Sequence, residues 1–335
     1  MTKQEDLTKQ AGLASIEAAG PRGASRRRLM VAGLAAAGLL LAGFGSHTVF
    51  LGSAKAQAPE RIMALGGAVT EILYALSLQD RIVGLDTTSL YPPQALKDKP
   101  NVGYLRAVSA EGILSLRPSL VIALDGAGPA DALKLVADAG VPIMRLPEDP
   151  TQDGVIARIE AVGRLVGAEQ SAGRLANRTR AGFAQLEALR SRLGRKVRVL
   201  FLLSLQNGRP VVAGRKTTAD GMIGLAGAVN AADMIQGFKP MTEEAVIAAA
   251  PDAIVMMSNA GVTLGSDEVF SQPAFAATPA ARNRVFISMD GLYLLGFGPR
   301  TPEAARDLMS ALYPEFNLPP LDLPAYGPTT PEAAR

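Results

Sequence analysis

Two α/β lobes joined by one long helix are the fold class that this 335-residue sequence predicts. Three observations carry it. Short apolar runs bounded by Gly and Pro alternate with segments whose apolar residues fall at helical spacing, the pattern of a mostly parallel sheet covered on both faces. That alternation stops over residues 153–193, where the helical period runs on without a strand. It then resumes in a second half that repeats the first. Residues 109–122, SAEGILSLRPSLVI, align without a gap on residues 242–255, TEEAVIAAAPDAIV, at an offset of 133. Ser109 falls on Thr242, Glu111 on Glu244 and Pro118 on Pro251, and the same offset puts Lys239 on Arg106. Two related lobes facing each other would offer a cation from each side of a cleft.

Taken in order, the first strand is predicted over 61–65, RIMAL, ending in Gly66-Gly67 and followed by a helix over 69–76. The glycine pair lacks the remainder of a dinucleotide or P-loop fingerprint, so it is not read as a phosphate site. A strand over 82–85 completes a β-α-β unit. Residues 86–108 then read as loop, with Thr, Ser, Pro, Asn and Gly throughout. Within it Pro92 holds Tyr91 extended, and Arg106 follows fifteen residues later. Both lie beyond strands, at the end of the sheet where open α/β folds bind ligands. Two readings of this pair stand together: a ligand site, or a tyrosine packed over a turn beside a solvated arginine. Next come a helix over 109–116 with Ser109 as its N-cap, a strand over 120–124, a helix over 129–139 closed by Gly140, and a strand over 142–146.

Gly167 divides the long helical stretch and leaves a second helix near 171–193, whose arginines (Arg174, Arg178, Arg180, Arg190 and Arg192) read as a solvated face. A strand over 197–203 opens the second lobe. Near its end, the strand 284–288 leads into MDGLYLLGFGPR, which puts Tyr293, Phe297 and Arg300 beyond a strand and before a helix with Pro302 at its first position. The Pro-rich tail is expected to be extended or disordered. The resulting boundaries are a leader over 1–56, a lobe over 59–170, a linking helix over 171–194, a lobe over 195–315 and a tail over 316–335.

Composition narrows the chemistry. With no cysteine, the chain has no disulfide, no thiolate metal site and no lipid-modified cysteine. Residues 1–56 hold seven of the 34 Lys/Arg and three of the 31 Asp/Glu, which leaves 27 basic and 28 acidic residues in the body. A near-neutral body gives no reason to expect nucleic-acid binding. The basic excess belongs to the leader: Ser25-Arg26-Arg27-Arg28-Leu29-Met30 resembles a twin-arginine export signal. A long apolar run and Ala54-Lys55-Ala56 follow, an A-x-A cleavage pattern that outweighs a retained membrane anchor. Cleavage near Ala56 would make the protein periplasmic and remove His47, the only histidine. Without His and Cys, the mature chain can build no Ser-His-Asp, Cys-His or H-E-x-x-H site, so an enzyme is not expected.

The segments GGAVTEILYAL, VGLDTTSLYP, VGYLRAVSAEGILSLRPSLVIA, GFKPMTEEA and GLYLLGFGPRTPEAA together resemble the periplasmic hemin-binding proteins of ABC importers, over about residues 59–313. These belong to a larger group of binding proteins for cobalamin and iron–siderophores. The resemblance implies the class III binding-protein fold, two Rossmann-like lobes joined by a single long helix. It also implies heme as a transported ligand in the cleft, with Tyr91 of the TS-x-YP motif as axial ligand of its iron. Arg106 of the GYLR motif would lie beside it, Lys239 and Arg300 would meet the propionates, and Tyr293 would be the next candidate ligand. Glu71 would dock an inner-membrane ABC permease and ATPase complex, with Asp220 or Glu243 as its counterpart on the second lobe. An outer-membrane hemin receptor system and a monomeric state complete the picture. The chemistry is consistent: a phenolate is an oxygen ligand that haem iron accepts, and a nearby guanidinium favours the charged phenol. The alternative is a binding protein of the same fold for an iron–siderophore or a corrinoid.

Overall fold

Alternate residues of the central strands face different cores, which is why those strands read as continuous apolar runs. In the computed structural model, which describes residues 60–206, 208–258 and 264–326, the first lobe begins with β1 (Ile62–Leu65), α1 (Gly67–Ala75) and β2 (Ile82–Leu85). A short helix α2 (Ala95–Asp98) and a two-stranded hairpin, β3 (Gly103–Tyr104) and β4 (Ala107–Val108), fill the loop that follows. Then come α3 (Ala110–Ser115), β5 (Leu120–Leu124), α4 (Ala130–Asp138) and β6 (Ile143–Leu146). The sheet is fully parallel, in the order β2-β1-β5-β6. Met63, Leu65, Val121 and Ala123 point into one core cluster, while Ile62, Ala64, Leu120 and Ile122 point into another. Each of the larger side chains among them contributes roughly 1.5–3 kcal/mol of burial, and each alanine methyl less.

Helices α5 (Gln152–Leu165) and α6 (Glu169–Arg190) carry the chain to the second sheet, broken at Gly167, whose φ of 68° is left-handed. Helix α6 starts two residues before the predicted 171 and packs against α5. The second lobe follows with β7 (Arg198–Gln206), β8 (Arg209–Ala213), α7 (Thr218–Leu225), β9 (Val229–Asn230) and β10 (Phe238–Pro240). Helix α8 (Glu243–Ala249) and β11 (Ala253–Ser258) continue it, then α9 (Ser266–Phe270), α10 (Pro273–Ala276) and α11 (Pro279–Asn283). It ends with β12 (Phe286–Asp290), α12 (Gly291–Leu295) and α13 (Thr301–Leu312), the last packed on α6. Its sheet is mixed. β7, β11 and β12 run parallel, whereas β8 returns antiparallel on β7 and carries β10 at the edge. The sequence reading did not predict this β7–β8 return.

The offset of 133 reappears as geometry. Ser109 and Thr242 each accept a hydrogen bond from the backbone N–H three residues on, and so cap α3 and α8. Arg117 and Ala250, again 133 apart, both close their helices in the left-handed region, at φ 47° and 44°. Ser119 and Asp252 then donate their backbone N–H to the carbonyls of Arg61, just ahead of β1, and Arg198, the first residue of β7. Of the two alternatives for the tail, residues 317–326 take the extended one: Leu318 is buried, and Arg178 and Gln185 of α6 hydrogen-bond the chain at Pro324 and Asp322. The twin-arginine segment and its cleavage site lie outside the described residues.

Candidate ligand cleft

A cavity of about 520 Å³ opens at the C-terminal ends of the parallel strands of both sheets. From the first lobe come Gly67 after β1, Thr87 and Thr88 after β2, and Glu148 and Asp149 after β6; from the second come Met257 of β11 and Leu292 of α12. Much of the wall is apolar, with Leu90, Leu105, Leu124, Leu295 and Phe297. Leu294, on the same helix as Leu292 and Leu295, belongs to the core. Gly67 is required by close approach: a Cβ there would lie 2.5 Å from both the Leu292 side chain and the Thr88 carbonyl. This is the physical reason for a glycine pair that resembles, but is not, a phosphate loop.

The Tyr91 loop is fixed by a buried carboxylate that sequence reasoning passed over. Asp86 accepts from the Gly66 N–H at 2.6 Å and from the Thr88 N–H and hydroxyl at 2.8 and 2.5 Å. Thr88 Oγ1 in turn accepts from the Gly67 N–H at 3.1 Å, and Ser89 and Thr70 share a hydroxyl–hydroxyl bond of 2.7 Å. The DTTS sequence thus ties the loop after β2 to the first turn of α1, where a carboxylate also meets the positive end of the helix. The available signal was an Asp-Thr-Thr-Ser run directly after an apolar strand, a pattern that bonds its own backbone.

Beyond this anchor, three aromatic residues and one ion pair meet. Tyr91 is 37% exposed, and the Arg300 guanidinium lies 3.5 Å from its ring centroid. Arg300 Nε and Nη2 donate to Glu71 Oε1 and Oε2 at 3.1 and 3.0 Å, and the Arg300 backbone N–H adds a third bond of 3.2 Å to Oε1. Gly298 leaves room for the carboxylate, since a Cβ there would lie 3.1 Å from it. Tyr293, whose ring centroid is 5.0 Å from the same guanidinium, donates its hydroxyl to Asp307 at 2.8 Å. Burial raises the Tyr293 phenol well above its ordinary value, and the bond to Asp307 raises it further. Burial alone would lower the Arg300 guanidinium, but the charge and hydrogen bonds of Glu71 outweigh that and raise it.

Two expectations are corrected here. Glu71 is only 3% exposed and bound face-on by Arg300, so it is no outward docking acid. Arg300, committed to Glu71 and stacked on Tyr91, is not a free partner for a propionate. Arg106 and Lys239 stay outside this cluster. Both are exposed, Arg106 in the turn of the β3–β4 hairpin beside the cavity residues Tyr104 and Leu105, and Lys239 on β10. A further residue was missed altogether. Arg158 of α5 is buried at the cavity and donates to the carbonyls of Phe297 at 2.7 Å and Pro147 at 2.6 Å, stapling one lobe to the other. Burial lowers its pKa, and the nearby Glu148, Asp149 and Asp125 act against that. An arginine within the apolar stripe Val155, Ile156, Ile159 and Val162 was the available signal.

Comparison with known proteins agrees with this fold. Residues 62–292 match the family model described as periplasmic binding protein. Among solved structures, the chain is 42% identical to the periplasmic heme-binding protein RhuT from Roseiflexus sp. RS-1 in its apo form. That match covers 76% of this chain and 98% of the other, with a TM-score of 0.72. It is 39% identical to the periplasmic heme-binding protein BhuT in complex with two hemes, over 75% of this chain and 97% of the other, with a TM-score of 0.71. Among curated sequences, it is 28% identical over 260 residues to an ABC transporter substrate-binding lipoprotein of Bacillus subtilis, 77% of this chain and 81% of that one.

Proposed function

The chain belongs to the periplasmic binding protein family, and from that membership we propose that it captures hemin in the interlobe cleft and delivers it to an ABC permease and ATPase complex. One observation carries the choice of ligand atom. Of the three tyrosines gathered around Arg300 and Glu71, Tyr91 alone has a hydroxyl with no hydrogen-bond partner among the described residues, and it reaches solvent. Tyr293 and Tyr326 have spent theirs. The Arg300 guanidinium lies over the Tyr91 ring, and a phenol oxygen is a hard ligand of the kind that ferric iron takes. The apolar cavity wall suits a porphyrin face, and Arg106 and Lys239 are the uncommitted cations that could meet propionates at the rim. The likeness to heme-binding structures over nearly their whole length supports heme over a siderophore or a corrinoid.

The test is a visible-absorption titration of the mature protein with ferric hemin. Wild type is expected to develop a tyrosinate-to-iron charge-transfer band. Tyr91→Phe is expected to lose that band and bind more weakly while keeping its circular dichroism. An unchanged spectrum and affinity in Tyr91→Phe would overturn the assignment.

The role is transport binding, not catalysis, by a monomer in the periplasm, served by an outer-membrane hemin receptor system, with α6 as the link between lobes. Export through the twin-arginine route rests on Ser25-Arg26-Arg27 and the A-x-A pattern ending at Ala56. Replacing Arg26 and Arg27 by Lys should leave precursor in the cytoplasm, and normal periplasmic accumulation would reject the route. For docking, the internal repeat supplies acids in place of Glu71. Glu111 and Glu244 share the 133 offset, and both are exposed in the first turns of α3 and α8.

A further inference from the structure

The family match ends at residue 292, yet the chain continues as an ordered strap that returns to the ion pair beside Tyr91. Beyond α13 a short turn over Pro314–Phe316 ends in Asn317 at a left-handed φ of 44°, which redirects the chain along α6. The side-chain amide of Gln185 holds Asp322 at both ends, accepting from its N–H at 2.8 Å and donating to its carbonyl at 2.8 Å. Gly182 leaves room for Leu323, which a Cβ there would meet at 3.1 Å. Arg178 donates to the Pro324 carbonyl at 2.6 Å, pairs with Glu303 of α13 at 2.7 Å, and lies 4.2 Å from the centroid of the Tyr326 ring. The strap thus delivers one hydroxyl to one place. Tyr326 Oη donates to Glu71 Oε1 at 3.3 Å, on the oxygen that also receives Arg300 Nε and the Arg300 N–H.

We infer that the strap is part of the hemin site and that Tyr326 is a positioning residue for the iron ligand, acting through Glu71 and Arg300 on Tyr91. This rests on the reading of Tyr91 as the ligand. The physical route is geometric. The Tyr326 hydroxyl fixes the carboxylate plane of Glu71, and a bidentate carboxylate fixes the plane of the guanidinium it grips, which is the plane laid over the Tyr91 ring. A strap that only braced the lobes would need its apolar contacts and its bonds to α6. It would not need a hydroxyl on the carboxylate that holds the arginine stacked on Tyr91.

The experiment compares the full mature chain with Tyr326→Phe, Gln185→Ala and Tyr313→Phe in ferric hemin titrations. Tyr326→Phe removes one hydroxyl, and Gln185→Ala frees the strap from α6. Tyr313→Phe is the contrast, because its hydroxyl bonds Val197 and Gly227 far from the ion pair. Tyr326→Phe should weaken hemin binding about 3- to 10-fold, as expected for one long bond to a charged group, and should shift the charge-transfer band. Gln185→Ala should move both in the same direction. Tyr313→Phe should lower the melting temperature and leave band and affinity alone. A wild-type band and affinity in both strap variants would overturn the role of Tyr326 while leaving Tyr91 intact, as would an equal band shift in Tyr313→Phe. If wild type shows no such band, or Tyr91→Phe binds as wild type does, the reading of Tyr91 fails and the role of Tyr326 with it.

Discussion

Tyr91 and Tyr293 are the same side chain beside the same guanidinium, and their surroundings separate them. Tyr91 is held at the surface by a loop that Asp86 anchors, with its hydroxyl uncommitted. Tyr293, on α12, is partly buried with its hydroxyl on Asp307 of α13, and burial, with that bond, pushes its phenol up and out of reach of neutral-pH ionisation. The consequence for stability has a definite sign. A phenol whose folded pKa is raised contributes stability that is fully present below the unfolded value near 10, and that stability is lost as pH rises beyond it. The melting temperature should therefore change little on this account between pH 7 and 9 and fall above about pH 10. Tyr293→Phe should make the fall shallower, and Tyr326, raised likewise by burial, should account for part of what remains. A melting profile of Tyr293→Phe parallel to wild type across that range would show that the phenol does not ionise on unfolding as described.

At the scale of elements, α6 is the piece on which three others converge: α5 beside it, α13 across it and the strap along it. Two of the three, α13 and the strap, demand a small contact at one place. Gly182 is that place, where a Cβ would lie 2.9 Å from Pro302 and 3.1 Å from Leu323. Proline cannot swing aside as a long flexible side chain would. Gly182→Ala should thus destabilise the fold by about 1–3 kcal/mol, the usual cost of overpacking, despite the better helix propensity of alanine. Urea denaturation checks it, and a stabilised variant would mean that α13 yields easily. The repeat belongs to this scale as well. Helix cap, left-handed closure, proline and strand recur together 133 residues apart, which a chance match of a short apolar idiom would not bring into equivalent places.

For the whole molecule, the lobes are joined by two guanidinium groups, one buried and one partly buried, each reaching from its own lobe to the other. Arg158 of the first lobe holds the Phe297 carbonyl of the second, and Arg300 of the second holds Glu71 of the first. Removing Glu71 would leave the partly buried Arg300 without its counter-charge, a costly state, so substitutions there test folding as well as docking. The docking prediction moves to the pair at the repeat offset. Glu111→Arg and Glu244→Arg together should leave the hemin spectrum and affinity unchanged and reduce stimulation of the transporter ATPase about tenfold or more, because like charges facing across an interface cost several kcal/mol. Proteoliposomes with the cognate permease measure it. Wild-type stimulation by the double variant would assign docking to other surfaces.

The alternation of strand and helix, the capped helix before each repeated proline and strand, and the loop carrying Tyr91 were all legible in the residues, because apolar period, caps and turns act over a few neighbouring positions. The antiparallel return of β8, the order of the tail and the company kept by each charged group were not. Glu71 reads as a helix-start acid from its neighbours in the chain, but Arg300, 229 residues away, turns it into half of a buried pair. Arg178 reads as part of a solvated helix face and instead pairs with Glu303 and holds the Pro324 carbonyl. Tyr326 sits in a stretch whose composition argues for disorder, and Gln185 and Arg178 on α6 order it. By itself the sequence determined the strands and helices of the parallel α/β core and which loop presents a phenol, since local sterics and hydrophobic period suffice for that. Tertiary structure alone decided which charges are spent and which are free, because a charge is satisfied by whatever the fold brings within about 3 Å of it, however far away in sequence that partner lies.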